Sequence, residues 1–482
     1  MARNPRPITR ICFVGATFRV ILLAIKAGIS GKISVITDRD SRFLTRLENM
    51  EMPWELPRDF KEKLGDLINT GKLVFSPNIE ESAAASSAVI IDILPEITSA
   101  GSADYSTIKA ITRTIGKGIG KTEAGHTLGF LGVFKPGFLL TEIVPALEGN
   151  GPYKSGRDFF TTHLTFQFSA DKKEISKCIM GSCDTETSVR ARHLPLVFTQ
   201  NVISMFSTDS EALSLIDSML DIAAAGIANE MFYGFSALGV NPHDVIKYSK
   251  IFDGRLNALN DYPLGFYDVL HRTAIAISKS VFNEVKRGQW SLEPLIYKAA
   301  VQTSSAVPQT LVQIGLDVLK DYKDVKAAVL GLSAVPDSAD VEETPAMPLV
   351  KTLMKMGARV NVYDPYSIEL FRTKLKKRIE NGEFGPWDKG YISEEEKPPG
   401  WAKEYEKKLE DRLSSLPVKF FQTARDALAG CQILFVVSRH REFETITPSI
   451  IKSAMAVPVV VDGARVFDGN LLAEEGIKYL SL

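Results

Sequence analysis

Ile11-Cys12-Phe13-Val14-Gly15-Ala16-Thr17-Phe18-Arg19-Val20, read together with Ile33-Ser34-Val35-Ile36-Thr37-Asp38, sets the architecture. Four apolar residues end in a glycine. Helical spacing then runs from Phe18 to Ala27, and a second short β-branched run ends in Thr37-Asp38. Short apolar runs bounded by turn residues read as strands buried on both faces, and two of them flanking a helix make a parallel βαβ unit. This unit opens a doubly wound sheet, which Leu73–Phe75 and Ala88–Leu94 extend.

Further along, the middle of the chain is helical and Ala-rich from about Ser210 to Val240. Ile216, Met219, Leu220, Ile222, Ala223, Ile227 and Met231 make it apolar on more than one face, as expected of a helix buried between domains or subunits. Helical patterns continue through Thr273–Arg287 and Pro294–Leu319. Ala327–Leu332, Arg359–Tyr363, Ile433–Val437 and Val457–Val461 then return to short buried strands, with a helical Pro348–Met356 between the first two. The expectation is an α/β protein: two Rossmann-like, doubly wound parallel-sheet domains at 1–205 and 321–482, joined by a central helical, dimerising domain at 206–320. A charge-dense stretch at 371–416, with Trp387, Pro398-Pro399-Gly400 and Trp401, reads as an inserted surface segment, partly helical.

Composition bounds the function classes. The 482 residues carry 57 Lys+Arg against 58 Asp+Glu, a net charge of −1, which argues against a nucleic-acid binder. Cys12, Cys178, Cys183 and Cys431 are too few and too scattered for a disulfide framework or a structural zinc, so a reducing, cytoplasmic setting and no metal are expected. Arg19 and Lys26 interrupt the apolar N-terminal stretch, and no uncharged run reaches the length of a membrane span.

The first βαβ turn is where a nucleotide would sit. A helix N-terminus offers N–H groups to phosphate, and an acidic residue ending the second strand binds a ribose diol. Gly15, Thr17, Arg19 and Asp38 are therefore the candidate cofactor-binding residues. The dinucleotide fingerprint needs three glycines, and only Gly15 is present. Thr17 puts a Cβ where a diphosphate would sit, and Val20 puts a branched side chain at the helix–strand packing point. Asp38, 23 residues after Gly15, is placed for a ribose, and Arg19 for a phosphate. Gly116-Lys117-Gly118-Ile119-Gly120-Lys121-Thr122 is not a P-loop. Its first glycine is one residue too close, and it follows a helical pattern, so it reads as a linker.

Several stretches resemble the UDP-glucose/GDP-mannose dehydrogenase family. They are Leu330-Gly331-Leu332-Ser333-Ala334-Val335-Pro336-Asp337 with Asp340 and Pro345, Tyr363-Asp364-Pro365, and Val461-Asp462-Gly463-Ala464-Arg465-Val466-Phe467-Asp468. Ala103-Asp104-Tyr105-Ser106, Phe134-Lys135-Pro136-Gly137 and Asp158-Phe159-Phe160 are also similar to family segments. The resemblance implies an NAD domain, a dimerising central helix and a nucleotide-sugar domain. It also implies oxidation of a sugar alcohol to a carboxylate through a cysteine thiolate. NAD is the cofactor it suggests, and a homodimer and a nucleotide-sugar ligand follow from it. Asn229, Arg255 and Arg465 are the candidate substrate-binding residues.

The resemblance breaks where the chemistry should be. The family's Gly-Gly-x-Cys loop corresponds to Asp253–Asp268, which has no cysteine. Counting back from Asn229-Glu230 puts Ser214 and Ser218 at the family's Lys and Asn. Leu164-Thr165-Phe166 replaces its Ser-Pro-Glu, and Gly132-Val133 its Ser-Thr. Ala334-Val335 and Glu342 replace cations of the nucleotide-sugar domain. The expectation is a homologue without catalysis that keeps a binding or regulatory role. The alternative is an NAD-dependent oxidoreductase of the same family with altered chemistry, for which His163 and His271 are candidate acid/base groups.

Overall fold

The computed structural model describes residues 4–53, 56, 58–98, 102–149, 152–168, 174–238, 240, 273–279, 281, 295–333, 337, 339, 341, 344–385 and 401–481. It divides into two compact units, Met1–Leu220 with Val269–Pro294, and Asp221–Asp268 with Leu295–Leu482. The expected limits at 205 and 320 fall inside a strand, Val202–Phe206, and just after a helix, Leu295–Leu319.

The first unit contains β1 (Arg10–Val14), β2 (Ile33–Thr37), β3 (Leu73–Ser76), β4 (Ala88–Asp92), β5 (Glu96–Ile97), β6 (Ala103–Asp104), β7 (His126–Leu131), β8 (Phe159–Phe168), β9 (Ile175–Ser182) and β10 (Val202–Phe206). Eight of them form one sheet in the order β10-β9-β8-β7-β4-β1-β2-β3, and β5 pairs with β6 in a separate hairpin. Phe13 lies opposite Ile36 on one side and Ile90 on the other, and all three are fully buried. Each such side chain contributes about 1.5–3 kcal/mol over an exposed position, which is why these runs are apolar throughout. Helix α1 (Phe18–Ile29) buries Val20 through Ile25 without a break.

The sheet departs from the wholly parallel one expected, because β8 and β9 are antiparallel. Only 169–174 joins them, and a parallel crossover needs a dozen residues or more. The stretch expected to be a linker, Gly116–Thr122, is the last turn of the helix Ser106–Ile119 and its exit. Gly118 lies against the Glu80 carbonyl, where a side chain would not fit, so this glycine serves helix packing.

The second unit holds β11 (Lys326–Leu330), β12 (Arg359–Tyr363), β13 (Val418–Phe420), β14 (Ile433–Val436), β15 (Val459–Asp462) and β16 (Lys478–Ser481), in the order β13-β12-β11-β14-β15-β16 with every pair parallel. The charged segment expected on the surface is half core. Helices Ile368–Glu380 and Trp401–Ser415 bury Phe371, Leu375, Leu409 and Leu413. Their other sides pair Arg372 and Lys376 with Glu410. Apolar residues four apart mark that inner face, and the surrounding charges hide it in a composition reading.

Candidate functional site

In an open α/β sheet, ligands bind beyond the carboxyl ends of the strands where the order reverses, here between β1 and β4 and between β11 and β14. In the first crevice Gly15 has φ +98°, and an added Cβ would run into the Asp92 carbonyl. The Gly15 N–H donates to Thr37 O at 2.8 Å. The Ala16 N–H donates to Asp38 Oδ2 at 2.8 Å, and the Asp40 N–H to Asp38 Oδ1 at 3.0 Å. Thr17 caps α1, its Oγ1 accepting the Val20 N–H at 3.2 Å, and its hydroxyl donates to Asp92. Arg19 donates to the same carboxylate through Nε at 3.1 Å and through Nη2.

The four residues expected from the sequence thus meet at one turn, but two of them are spent on Asp92. That carboxylate is 0 % exposed. The sequence reading missed it, although a charged residue ending the run Ala88-Val89-Ile90-Ile91 was the available signal. A dinucleotide diphosphate in the usual pose needs the free N–H groups of α1 and an unopposed positive field. Here a hydroxyl takes the Val20 N–H, a buried carboxylate faces the same turn, and the nearby guanidinium is committed to it. These residues do not fit the diphosphate of NAD. Asp38 alone keeps the geometry expected for a ribose.

Beyond β7 and β8 the polar groups are likewise consumed. His163 is fully buried. Gly132 O is only an acceptor, so Nε2 donates to it at 2.9 Å, and Nδ1 accepts from the Ser210 hydroxyl at 2.7 Å. Burial pulls the ring down to about 4, so it is neutral. Ser214 donates to the same carbonyl at 3.4 Å. Glu211 accepts the N–H groups of Gly137 and Leu139, the latter at 2.7 Å, and burial pushes its carboxyl up to about 7. His271 lies outside the described residues.

Burial disfavours the thiolate at all four cysteines. Burial pushes Cys12 and Cys178 up to about 12 and Cys431 to about 11. Half-buried Cys183 is raised too, and its Sγ lies 3.7 Å from the Ser207 hydroxyl. A reactive cysteine needs the opposite, a positive and accessible surrounding.

The second crevice starts from the same turn. Gly331 has φ +90°, its N–H donates to Tyr363 O at 3.0 Å, and an added Cβ would meet Ser438 N at 2.6 Å. Asp364 accepts the Leu332 N–H at 2.7 Å, the Tyr366 N–H at 2.8 Å and the Ser367 N–H at 2.9 Å. Fully buried His440 fills the space above. Its Nε2 lies 2.9 Å from Asp364 Oδ2 and 3.0 Å from Ser333 Oγ, and Nδ1 accepts the Asp337 N–H at 2.9 Å. Burial pulls this ring down, but the Asp337 and Asp364 carboxylates outweigh it and hold His440 up at about 9. Charging the ring requires Nδ1 to exchange the Asp337 amide for the Asp337 carboxylate, 3.7 Å away.

Arg465, expected at a ligand, is enclosed in the second unit, 0 % exposed and at φ +54°. Burial lowers it to about 9 against the opposing charge of Asp462. Asn229 lies in the helix Ser207–Ala237, but its side chain is outside the described residues, as are Arg255, the whole 253–268 loop, Ala334-Val335 and Glu342.

Among the described residues no helix is long and apolar enough to cross a membrane, and no cluster of three or more His, Cys, Asp or Glu is arranged to hold a metal. Residues 328–469 match the UDP binding domain of the UDP-glucose/GDP-mannose dehydrogenase family. The chain is 22% identical to a UDP-glucose 6-dehydrogenase of Rhizobium meliloti, over 98% of this chain and 99% of that one. It is 20% identical to a GDP-mannose 6-dehydrogenase of Azotobacter vinelandii, over 63% and 69%. The fold is similar to a UDP-glucose dehydrogenase from Pyrobaculum islandicum, with TM-score 0.75 and 19% identity over 100% and 99% of the two chains. It is also similar to a UDP-D-ManNAc dehydrogenase from Pyrococcus horikoshii, with TM-score 0.74 and 16% identity over 98% of each. The domain match covers 328–469, and the 22% identical relative aligns with this chain from end to end.

Proposed function

We propose that this nucleotide-sugar dehydrogenase homologue is not a catalyst and acts instead by binding a nucleotide-type ligand or a partner. The observation that carries the reading is the state of its four cysteines, each with its thiol pushed up by burial. Covalent oxidation through a thiohemiacetal needs a thiolate, a base and a cation for the oxyanion. Ser214 and Ser218 supply no cation, and the described His163 and Glu211 are tied to backbone groups. The purified protein incubated with NAD and UDP-glucose, UDP-ManNAc or GDP-mannose is expected to form no reduced nicotinamide, read by absorbance. Turnover with any of them refutes the reading and favours the altered-chemistry alternative.

The protein acts as a homodimer through the long helix. Leu213, Ile216, Leu220, Ile227 and Met231 are exposed at spacings of three, four and seven, a stripe that a monomer would leave in water. Ile216→Glu with Leu220→Glu is expected to turn the dimer into monomer in sedimentation, and an unchanged mass rules the stripe out. Four free cysteines suit a cytoplasmic, reducing location.

A further inference from the structure

We infer that Asp92 is the specificity determinant of the first crevice. By holding Thr17 and Arg19 on itself, it takes the place of a diphosphate and leaves the crevice to a ribose-bearing ligand that carries none. The inference deepens the binding role argued above and rests on it only for the absence of turnover.

The positions are fixed by three independent contacts. Arg19 meets both carboxylate oxygens of Asp92, the Thr17 hydroxyl meets Oδ2, and Gly15 packs its Cα against the Asp92 carbonyl. Arg19 and Asp92 together carry no net charge, so the guanidinium adds no net attraction for a diphosphate at the start of α1. Were Arg19 to swing to an incoming phosphate, it would leave a fully buried carboxylate with one hydroxyl for company, beside a second anion. Stranding a buried charge in this way is among the costliest events a site can undergo.

Asp38 is in the opposite condition. It is half-exposed, and each oxygen accepts one backbone N–H, from Ala16 and from Asp40. Each carboxylate oxygen has room for a second donor, so a pair of adjacent hydroxyls matches it. The ligand class is therefore a nucleoside or other ribose-bearing molecule without a diphosphate bridge.

The test is calorimetric titration of the full chain with adenosine, NAD and inorganic pyrophosphate. Wild-type protein is expected to bind adenosine, to bind NAD no more tightly than adenosine, and to give no heat with pyrophosphate. Asp92→Asn keeps the shape and frees the guanidinium, so NAD and pyrophosphate affinity should rise at least tenfold. Adding Arg19→Gln should remove that gain, and Asp38→Asn should weaken adenosine at least tenfold. Wild-type binding of NAD tenfold tighter than adenosine overturns the inference, as does a folded Asp92→Asn with no gain, or adenosine that does not bind. Should Asp92→Asn fail to fold, the wild-type comparison of NAD with adenosine decides alone. Tight NAD binding without reduction overturns this inference and leaves the non-catalytic reading standing, whereas reduced nicotinamide overturns that reading.

Discussion

At the end of β1, Gly15 turns the chain at φ +98° and the next N–H reaches Asp38; at the end of β11, Gly331 turns it at φ +90° and the next N–H reaches Asp364. Each glycine also donates to the residue just before that aspartate, Thr37 or Tyr363. Each has its Cα against the chain across the crevice, at Asp92 ending β4 or at Ser438 just beyond β14. The two turns are one device used twice, and what fills the space above them differs. Asp38 stays half-exposed, and the crevice beside it is occupied by the Arg19–Asp92 pair. Asp364 is enclosed, and the fully buried His440 completes its shell. A strand–glycine–helix turn therefore fixes where a ligand could go, while the residues of distant strands decide whether one can.

The largest effect should come from the shared glycines. Gly15→Ala and Gly331→Ala each force a side chain into backbone at a left-handed φ, and each is expected to cost roughly 4 kcal/mol in denaturant unfolding. A near-neutral result for one of them would break the equivalence of the two turns.

Next, the aspartates should separate the crevices. Asp364→Ala strands His440 and four backbone N–H groups and should cost about 3 kcal/mol. Asp38→Ala releases two N–H groups at a half-exposed site and should cost about 1 kcal/mol. Equal losses would show that the difference in enclosure has no energetic weight.

The smallest effect is one of pH, and above about 7, where Glu211 of the first unit has ionised, it belongs to the second unit. His440 is raised when folded, so its contribution is fully present below its ordinary value near 6.5 and is lost as pH rises through about 9. Melting temperature followed from pH 7.5 to 9 should fall by a few degrees, and His440→Gln should flatten that slope. A wild-type profile as flat as the variant's would mean the ring is neutral throughout and the Asp337 amide is its permanent partner.

Most of the fold was legible because its signals are local. Strand β12 is an example: Arg359-Val360-Asn361-Val362-Tyr363 stands out as a short run closed by Asp364-Pro365, and the strand has those same limits. The antiparallel turn-back of β8 and β9 was not legible from short apolar runs, because it follows from the length of the 169–174 connection. The buried face of 368–380 was masked by the charges between Phe371, Leu375 and Ile379. At the site, Gly15, Thr17, Arg19 and Asp38 could be named from the βαβ pattern, whereas Asp92 and His440 could not. Nothing in their own neighbourhoods says which groups they face.

The order of residues alone establishes that two sheets form, where each turns, and that 253–268 holds no cysteine. These are properties of neighbours along the chain, set by side-chain period and by glycine and aspartate at strand ends. It takes the folded chain to show that Arg19 is held by Asp92, 73 residues away, and Ser333 by His440, 107 residues away. Partners that far apart meet only once the strands between them are in order, and burial then sets the strength of what they make.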